Sequence, residues 1–219
     1  MVLDAYTDLD TFRLFIRSAA VADDLDDPDS PIETIALEAA ARAIDRATGR
    51  NFRVAGVTVS ARYFTLQSAA RVTYGYDTVT YDRHAIVPID DVFDATGMTV
   101  AFDTSGNGDY GTALTTYRLG PVNAAARLLP YTQLVFDSGT YPPSTPNGVK
   151  VEALWGWDAI PQTIVQANLI QGARFLKRRD AAFGVAGSPD MGNELRLLSK
   201  LDPDVALMVA AYKRNWGAV

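Results

Sequence analysis

The side chains able to do chemistry in this chain are few and scattered. His84 is the only histidine, cysteine is absent, and no Gly-x-Ser-x-Gly stretch offers a serine nucleophile. Thiol catalysis, disulfides and cysteine-based zinc sites are thereby excluded, and neither a Ser-His-Asp triad nor a Walker loop can be built. His84 stands in YDRHAIVP among strand-forming residues and reads as a structural or surface histidine. Residues 106–111, GNGDYG, meet the Gly-x-Gly-x-x-Gly spacing of a dinucleotide site. That chemistry needs a helix directly afterwards to hold the pyrophosphate, whereas TALTTYRL follows and looks like strand, so the stretch reads as a hairpin loop. The same loop begins like a calcium site, with Asp103, Ser105 and Asn107 at alternate positions and Gly108 sixth. Leu114 occupies the twelfth position, where a bidentate glutamate is required, and no helical pattern flanks the loop. Asp23, Asp24, Asp26, Asp27 and Asp29, with Pro28 among them, form an acidic run that reads as a solvated loop without fixed ligand geometry. No catalytic residue, metal ligand or cofactor is expected.

One cluster of like charge remains, Arg174, Lys177, Arg178 and Arg179, which suits either a solvated helix face or a phosphate or partner site. Over the whole chain 26 acids against 20 bases give a net charge of −6, which argues against a nonspecific electrostatic grip on nucleic-acid backbone. The 219 residues are 48% hydrophobic, enough for one substantial core and a second small one. No apolar run approaches the ~18 residues that span a bilayer. MVLDAYTDLD lacks the basic and apolar regions of a signal peptide, so no membrane partner and no export are expected.

Four helices are expected at the two ends of the chain. Thr7 or Asp8 can cap a first helix with Leu9, Phe12, Ile16 and Ala19 on one face. Ser30, Pro31 and Glu33 form a capping box that opens a second helix running to Gly49, with Leu37, Ala40, Ala41 and Ile44 along its core face. Pro161 at a first helical position opens the longest helical pattern, PQTIVQANLIQGARFLKRRD. Its spacing predicts a core face of Val165, Leu169, Gly172, Ala173 and Leu176, and an exposed face of Thr163, Arg174, Lys177 and Arg178. Gly172 in that core face predicts close approach of another backbone. Asp202 and Pro203 open the last helix, with Val205, Met208, Val209 and Tyr212 on one face, and residues 193–201 are expected to hold a short helical turn.

Between Arg53 and Trp157 the period changes to two. Val57, Val59, Ala61 and Tyr63, then Met98, Val100 and Phe102, then Val149, Val151 and Ala153 alternate with polar residues and read as strands. Glycine- and proline-rich segments between them fit the turns of an antiparallel sheet. Trp155, Gly156 and Trp157 are expected to cover a junction of sheet and helix. The expected fold is therefore α+β: a four-helix bundle from residues 1–53 and 158–219, interrupted by a β-rich antiparallel insertion at 54–157.

The segments LEAAARAIDRATGRNF, LWGWDAIPQTIVQANLIQGARFLKRRDAAFGVAG and LDPDVALMVAAYKRNW together resemble head-to-tail connector (adaptor) proteins of tailed bacteriophages. The likeness is closest to the long-insertion type of actinobacterial siphophages, and IDDVFDATGMTVAFDTSGNGDYG and YRLGPVNAAARLLPYTQL extend it through the insertion. The resemblance implies a structural, non-enzymatic virion protein made in the host cytoplasm. Such a protein forms a homo-oligomeric ring, usually of twelve subunits, between the portal protein and the next neck (stopper) protein, and DNA passes through its bore without sequence-specific binding. The matching motifs are packing and turn patterns, so no bore-lining residue carries over.

On that reading Arg174, Lys177, Arg178 and Arg179 are the candidate subunit interface, because a ring joins two unlike surfaces and the N-terminal region is acidic. Tyr212, Lys213, Arg214 and Trp216 are the candidate portal-docking residues, since the apolar period ends at Tyr212 and a tail carrying a tryptophan is expected to fray until a partner takes it. The alternative is a ligand-binding module, for sugar or calcium, using loops of the insertion. A carboxylate-dependent hydrolase would need two acids brought together in a cleft.

Overall fold

The computed structural model describes residues 4–18, 31–74, 79–111, 113–136, 142–143, 145–180, 185–186, 195–196 and 201–214. The acidic run at 23–29, Ser30 of the capping box and Trp216 lie outside the described residues. The fold is α+β, as expected, and the chain divides into two compact units. One is formed by Met1–Phe52 with Ile160–Arg214, the other by Arg53–Ala159.

The first unit holds helices α1 (Leu9–Ser18), α2 (Pro31–Thr48), α3 (Gln162–Asp180) and α4 (Pro203–Ala210). Helices α2 and α3 are its central pair, and each also packs against α1 and α4. Asp8 caps α1, its Oδ1 accepting the Thr11 N–H at 2.7 Å. Phe12 and Ile16 of α1 are buried against Ala36 and Leu37 of α2 and Leu169, Ala173 and Leu176 of α3. Helix α2 stops where Gly49, at φ 65°, takes the left-handed conformation and donates its N–H to Asp45 O at 2.8 Å. Asp202 caps α4 with Pro203 at its first position, as its residue types require.

Helix α3 departs from expectation in three ways. Pro161 lies one residue before the helix, its carbonyl accepting the N–H groups of Ile164 and Val165. Beside the expected face, Ile164, Ala167, Asn168 and Gln171 are also buried, because α3 has neighbours on more than one side. Two of those four are polar, which broke the apolar signal. Gly172 admits a side chain rather than a backbone: a Cβ there would stand 3.0 Å from the Phe12 ring and 3.4 Å from Leu37 Cδ1. Of residues 193–201, where a helical turn is expected, Leu195–Arg196 instead forms a strand pair, β9, with Val185–Ala186, β8, while 193–194 and 197–200 lie outside the described residues. The ladder gives those backbone groups partners that a single helical turn leaves unbonded.

The second unit carries two antiparallel sheets. Strands β1 (Ser60–Phe64), β7 (Val149–Ala153) and β4 (Thr99–Phe102) lie in the order β1-β7-β4. Strands β2 (Gln67–Tyr74), β3 (Val79–Val92), β6 (Tyr131–Phe136) and β5 (Arg118–Gly120) lie in the order β2-β3-β6-β5. The alternation of β7 is strict, Val149, Val151 and Ala153 pointing into a core with Val100 and Phe102 of β4, Val87 and Ile89 of β3, and Leu134 and Phe136 of β6. His84 takes its place in β3 opposite Ala69 of β2.

Two readings of this unit are corrected. Val57 and Val59 precede β1 and are exposed, and among the described residues no strand pairs with them. Among the described residues of TALTTYRL, only Leu114, bridging Val100, and the short β5 adopt strand pairing. Trp155 and Trp157 are held inside the unit, the first with its indole N–H on Ser60 O at 2.8 Å and the second on Asp91 Oδ2 at 3.2 Å. Gly156 between them, at φ 136°, lies so near the 53–55 backbone that a Cβ would be 2.7 Å from Arg53 O.

Candidate assembly surfaces

The basic face of α3 is less uniform than its spacing suggests. Arg174 turns toward α4 and pairs through Nη1 with Asp202 Oδ2 at 2.7 Å, leaving its side chain 15% exposed. The expected exposed position is therefore corrected for Arg174: its partner, 28 residues away in sequence, was invisible to helical periodicity. Lys177 is exposed and Arg178 half-buried, whereas the Arg179 side chain lies outside the described residues. Asp202 is fastened further, since its Oδ1 also accepts the Asp204 N–H at 3.0 Å and its own N–H donates to Gln171 Oε1 at 3.0 Å.

The expectation that the chain loosens at Tyr212 is corrected as far as Arg214. Tyr212 packs edge-on against Phe52, with ring centroids 5.6 Å apart, and Phe52 meets Tyr6 in the same way at 5.7 Å. The Arg214 N–H then donates to Thr48 O at 2.7 Å, tying the chain to the end of α2. Lys213 is exposed and Arg214 half-buried. The end of periodicity at Tyr212 marks a change from helix to backbone docking.

Segment 4–8 is fastened along α2 and α3 by polar contacts. The Tyr6 N–H donates to Asn168 Oδ1 at 3.0 Å, and Asn168 Nδ2 donates to Leu37 O at 3.0 Å. The Tyr6 hydroxyl donates to Asp45 and accepts the Phe52 N–H. Burial, reinforced by the hydrogen bond to Asp45, pushes this phenol well above the ordinary tyrosine range. Asp4 and Asp45 flank Arg42 at 3.1 and 3.2 Å, and Glu33 of the capping box reaches Arg13 Nε on α1 at 2.6 Å.

Residues Ala5–Asp8, Thr11, Ile160, Gln162 and Val165 line an open cleft of about 500 Å³. Its one carboxylate, Asp8, is spent on the Thr11 N–H and hydroxyl, and those hydrogen bonds hold it below the usual carboxylate range. In the glycine loop Asp103 accepts the N–H groups of Gly106, Asn107 and Gly108, which likewise depress its pKa. That carboxylate closes its own turn rather than facing outward as a calcium ligand would. Among the described residues no three histidine or acidic side chains converge as a metal site, and no helix is long and apolar enough to cross a membrane.

No protein-family model matches the chain, and no curated protein matches it. Solved structures similar to the chain include three from gene transfer agent particles. A chain in the neck of an empty gene transfer agent particle, computed with C6 symmetry, is 19% identical with a TM-score of 0.44, covering 97% of this chain and 93% of that one. A chain in the virion of the native gene transfer agent particle is 19% identical with a TM-score of 0.43 over the same shares. A chain in the neck of the native particle, computed with C12 symmetry, is 17% identical with a TM-score of 0.38, covering 100% of this chain and 99% of that one.

Proposed function

We propose that this chain is a head-to-tail adaptor in the neck of a phage-like virion, a structural subunit that forms a ring between portal and stopper proteins. In this reading the ring has twelve copies and DNA slides through its bore. The residue-level resemblance to adaptor proteins suggests the role. One observation of the geometry carries it: the helical unit turns its polar chemistry inward and its adhesive chemistry outward. Asp8, Asp45, Arg174 and Asp202 are spent on caps and internal pairs, while Leu14 of α1, Ile35 of α2 and Leu207 of α4 are exposed, as are the cations Lys177 and Lys213. Exposed apolar side chains together with exposed cations suit contact with other protein surfaces, and among the described residues no catalytic group converges in the cleft.

The subunit interface then uses Lys177, Arg178 and Arg179 of α3, with Arg174 serving inside the subunit. The portal contact uses the chain around Lys213 and beyond. A bore that lets DNA slide offers few cations to phosphate, in keeping with the net charge of −6.

The test is electron microscopy of the protein with co-expressed portal, wild type against Lys177→Glu/Arg178→Glu. Rings in the wild type and their loss in the double variant, with an unchanged melting temperature, are expected. Absence of this chain from neck particles would refute the adaptor role, and normal rings in the variant would refute the interface. A saturable response to calcium or to a glycan would favour the ligand-binding alternative.

A further inference from the structure

We propose that Asn107 is a site of self-modification, at which the Gly108 backbone nitrogen attacks the Asn107 side-chain amide and the Asp103 carboxylate sets the pace. The chain has two asparagine–glycine steps, Asn107–Gly108 and Asn147–Gly148. A glycine in second place leaves the attacking nitrogen without a Cβ beside it to block the approach. In the reaction the glycine nitrogen bonds to asparagine Cγ, the Cγ–Nδ2 bond breaks, and the proton from the nitrogen leaves with Nδ2 as ammonia. Water then opens the five-membered imide at one carbonyl to give aspartate, or at the other to give isoaspartate. The chain and water supply every atom.

Two features favour the step at Asn107. Its Oδ1 accepts the Asp109 N–H at 2.9 Å and the Ser105 hydroxyl at 3.1 Å, and this is the oxygen that takes up negative charge when the nitrogen adds to Cγ. Asn107 and Gly108 are both exposed, and a Cβ at Gly108 would meet nothing within 4 Å, so the ring has room to close. One feature opposes it. The Gly108 N–H donates to Asp103 Oδ2 at 2.8 Å, while Asp103 Oδ1 takes the Gly106 and Asn107 N–H groups at 2.7 and 3.3 Å. These donors hold Asp103 below the usual carboxylate range, so it is ionised at neutral pH. A negative charge on the N–H disfavours loss of its proton, and the bond must break before the nitrogen turns onto Cγ, a delay of about tenfold for one hydrogen bond.

Asn147 is closed by packing instead. It sits at φ 57°, its N–H donates to Thr65 Oγ1 at 2.9 Å, and its carbonyl accepts the Tyr110 hydroxyl at 2.8 Å. Gly148 is buried with its N–H on Thr145 O at 3.1 Å, and a Cβ there would stand 2.7 Å from Thr145 Oγ1 and 2.8 Å from Pro143 Cγ. The attacking nitrogen has no space to move. A charge therefore slows Asn107, whereas Asn147 is shut. Conversion at Asn107 adds a carboxylate to a loop that already holds Asp103 and Asp109, and isoaspartate also lengthens the backbone that Asp103 gathers. The inference stands or falls independently of the adaptor reading.

The experiment incubates the full chain at mildly alkaline pH and follows amide-to-acid conversion at each asparagine by peptide mass spectrometry, for wild type, Asp103→Ala and Ser105→Ala. Wild type should convert at Asn107 and stay intact at Asn147. Asp103→Ala should speed Asn107 about tenfold. Asn147 is the internal control, because a variant that loosened the whole unit would speed both sites. Ser105→Ala removes a donor from Oδ1 and should slow conversion at Asn107, whereas loosening of the loop alone would speed it. Conversion at Asn147 as fast as at Asn107 in wild type overturns the proposal, as does an Asp103→Ala chain that converts no faster than wild type. A faster Ser105→Ala chain would overturn the role of the Oδ1 donors.

Discussion

Arg174 Nη1 lies 2.7 Å from Asp202 Oδ2, and this pair latches α4 onto α3. Both side chains are mostly buried, at 15% and 25% exposure, so removing one partner strands the other in a poorly solvated position. Arg174→Met should cost about 1–3 kcal/mol, the range for a buried group left without its partner. In a chain of this size that lowers the melting temperature by about 2–4 °C per kcal/mol. Asp202→Ala should cost more, because the α4 cap is lost with the ion pair. Thermal melts of both variants and their double mutant measure the coupling, and a coupling near zero would show the latch to be solvated.

This latch shows where sequence reading stops. The caps at Asp8, Asp202 and Gly49 were legible because each depends on residues within four positions. The strict alternation of β7 and the buried stripe of α2 were legible because each follows one period. Helical periodicity places Arg174 on an exposed face because it assumes one buried side, while α3 has neighbours on several. Asn168 and Gln171 are buried for the same reason, and their partners at Tyr6, Leu37 and Asp202 are far away in sequence. For the candidate surfaces, charge in the sequence marks Lys177 and Lys213, both exposed, but intramolecular partners such as that of Arg174 determine which charges remain available, and those partners are distant in sequence.

Gly172 should resist replacement by alanine even though it sits inside a helix. A methyl group there gains ~1 kcal/mol of helix propensity. It also meets the Phe12 ring at 3.0 and 3.2 Å, where Phe12 is fully buried and has no room to retreat. Overpacking of this kind costs about 1–3 kcal/mol. Gly172→Ala should therefore be neutral to mildly destabilising alone, and should recover when combined with Phe12→Leu. Denaturant midpoints of the single and double variants check this, and an alanine variant more stable than wild type would contradict it.

Tyr6 gives the helical unit a dependence on alkaline pH. Its folded pKa lies above the ordinary 10.0 because burial and Asp45 both disfavour the phenolate. Stability from this group is fully present below pH ~10 and is lost as pH rises through that value toward the folded pKa, since only the unfolded chain ionises readily there. Tyr6→Phe removes the titration together with the hydrogen bond from the Phe52 N–H, costing about 0.5–1.5 kcal/mol at neutral pH. The stability gap between wild type and Tyr6→Phe should narrow between about pH 9 and 11. A gap constant across that window would mean that Tyr6 ionises at its ordinary pKa.

The last prediction separates folding from docking at the C-terminus. Tyr212 is half-buried against Phe52, so Tyr212→Ala removes an edge-to-face pair worth about 0.5–1.5 kcal/mol beyond the apolar area it uncovers. Shortening the chain after Arg214 preserves that contact and the Arg214–Thr48 hydrogen bond. If the tail serves the portal, the two changes should act on different observables. Tyr212→Ala should lower the melting temperature, whereas the truncation should leave it in place and abolish portal binding. Lys213, exposed beside the tied backbone, offers the finer test, because Lys213→Glu leaves every described contact intact and should weaken portal binding at low salt more than at high salt. Full portal binding by the truncated chain would assign the contact to the helix surfaces, with Leu207 of α4, 79% exposed, as the next residue to replace.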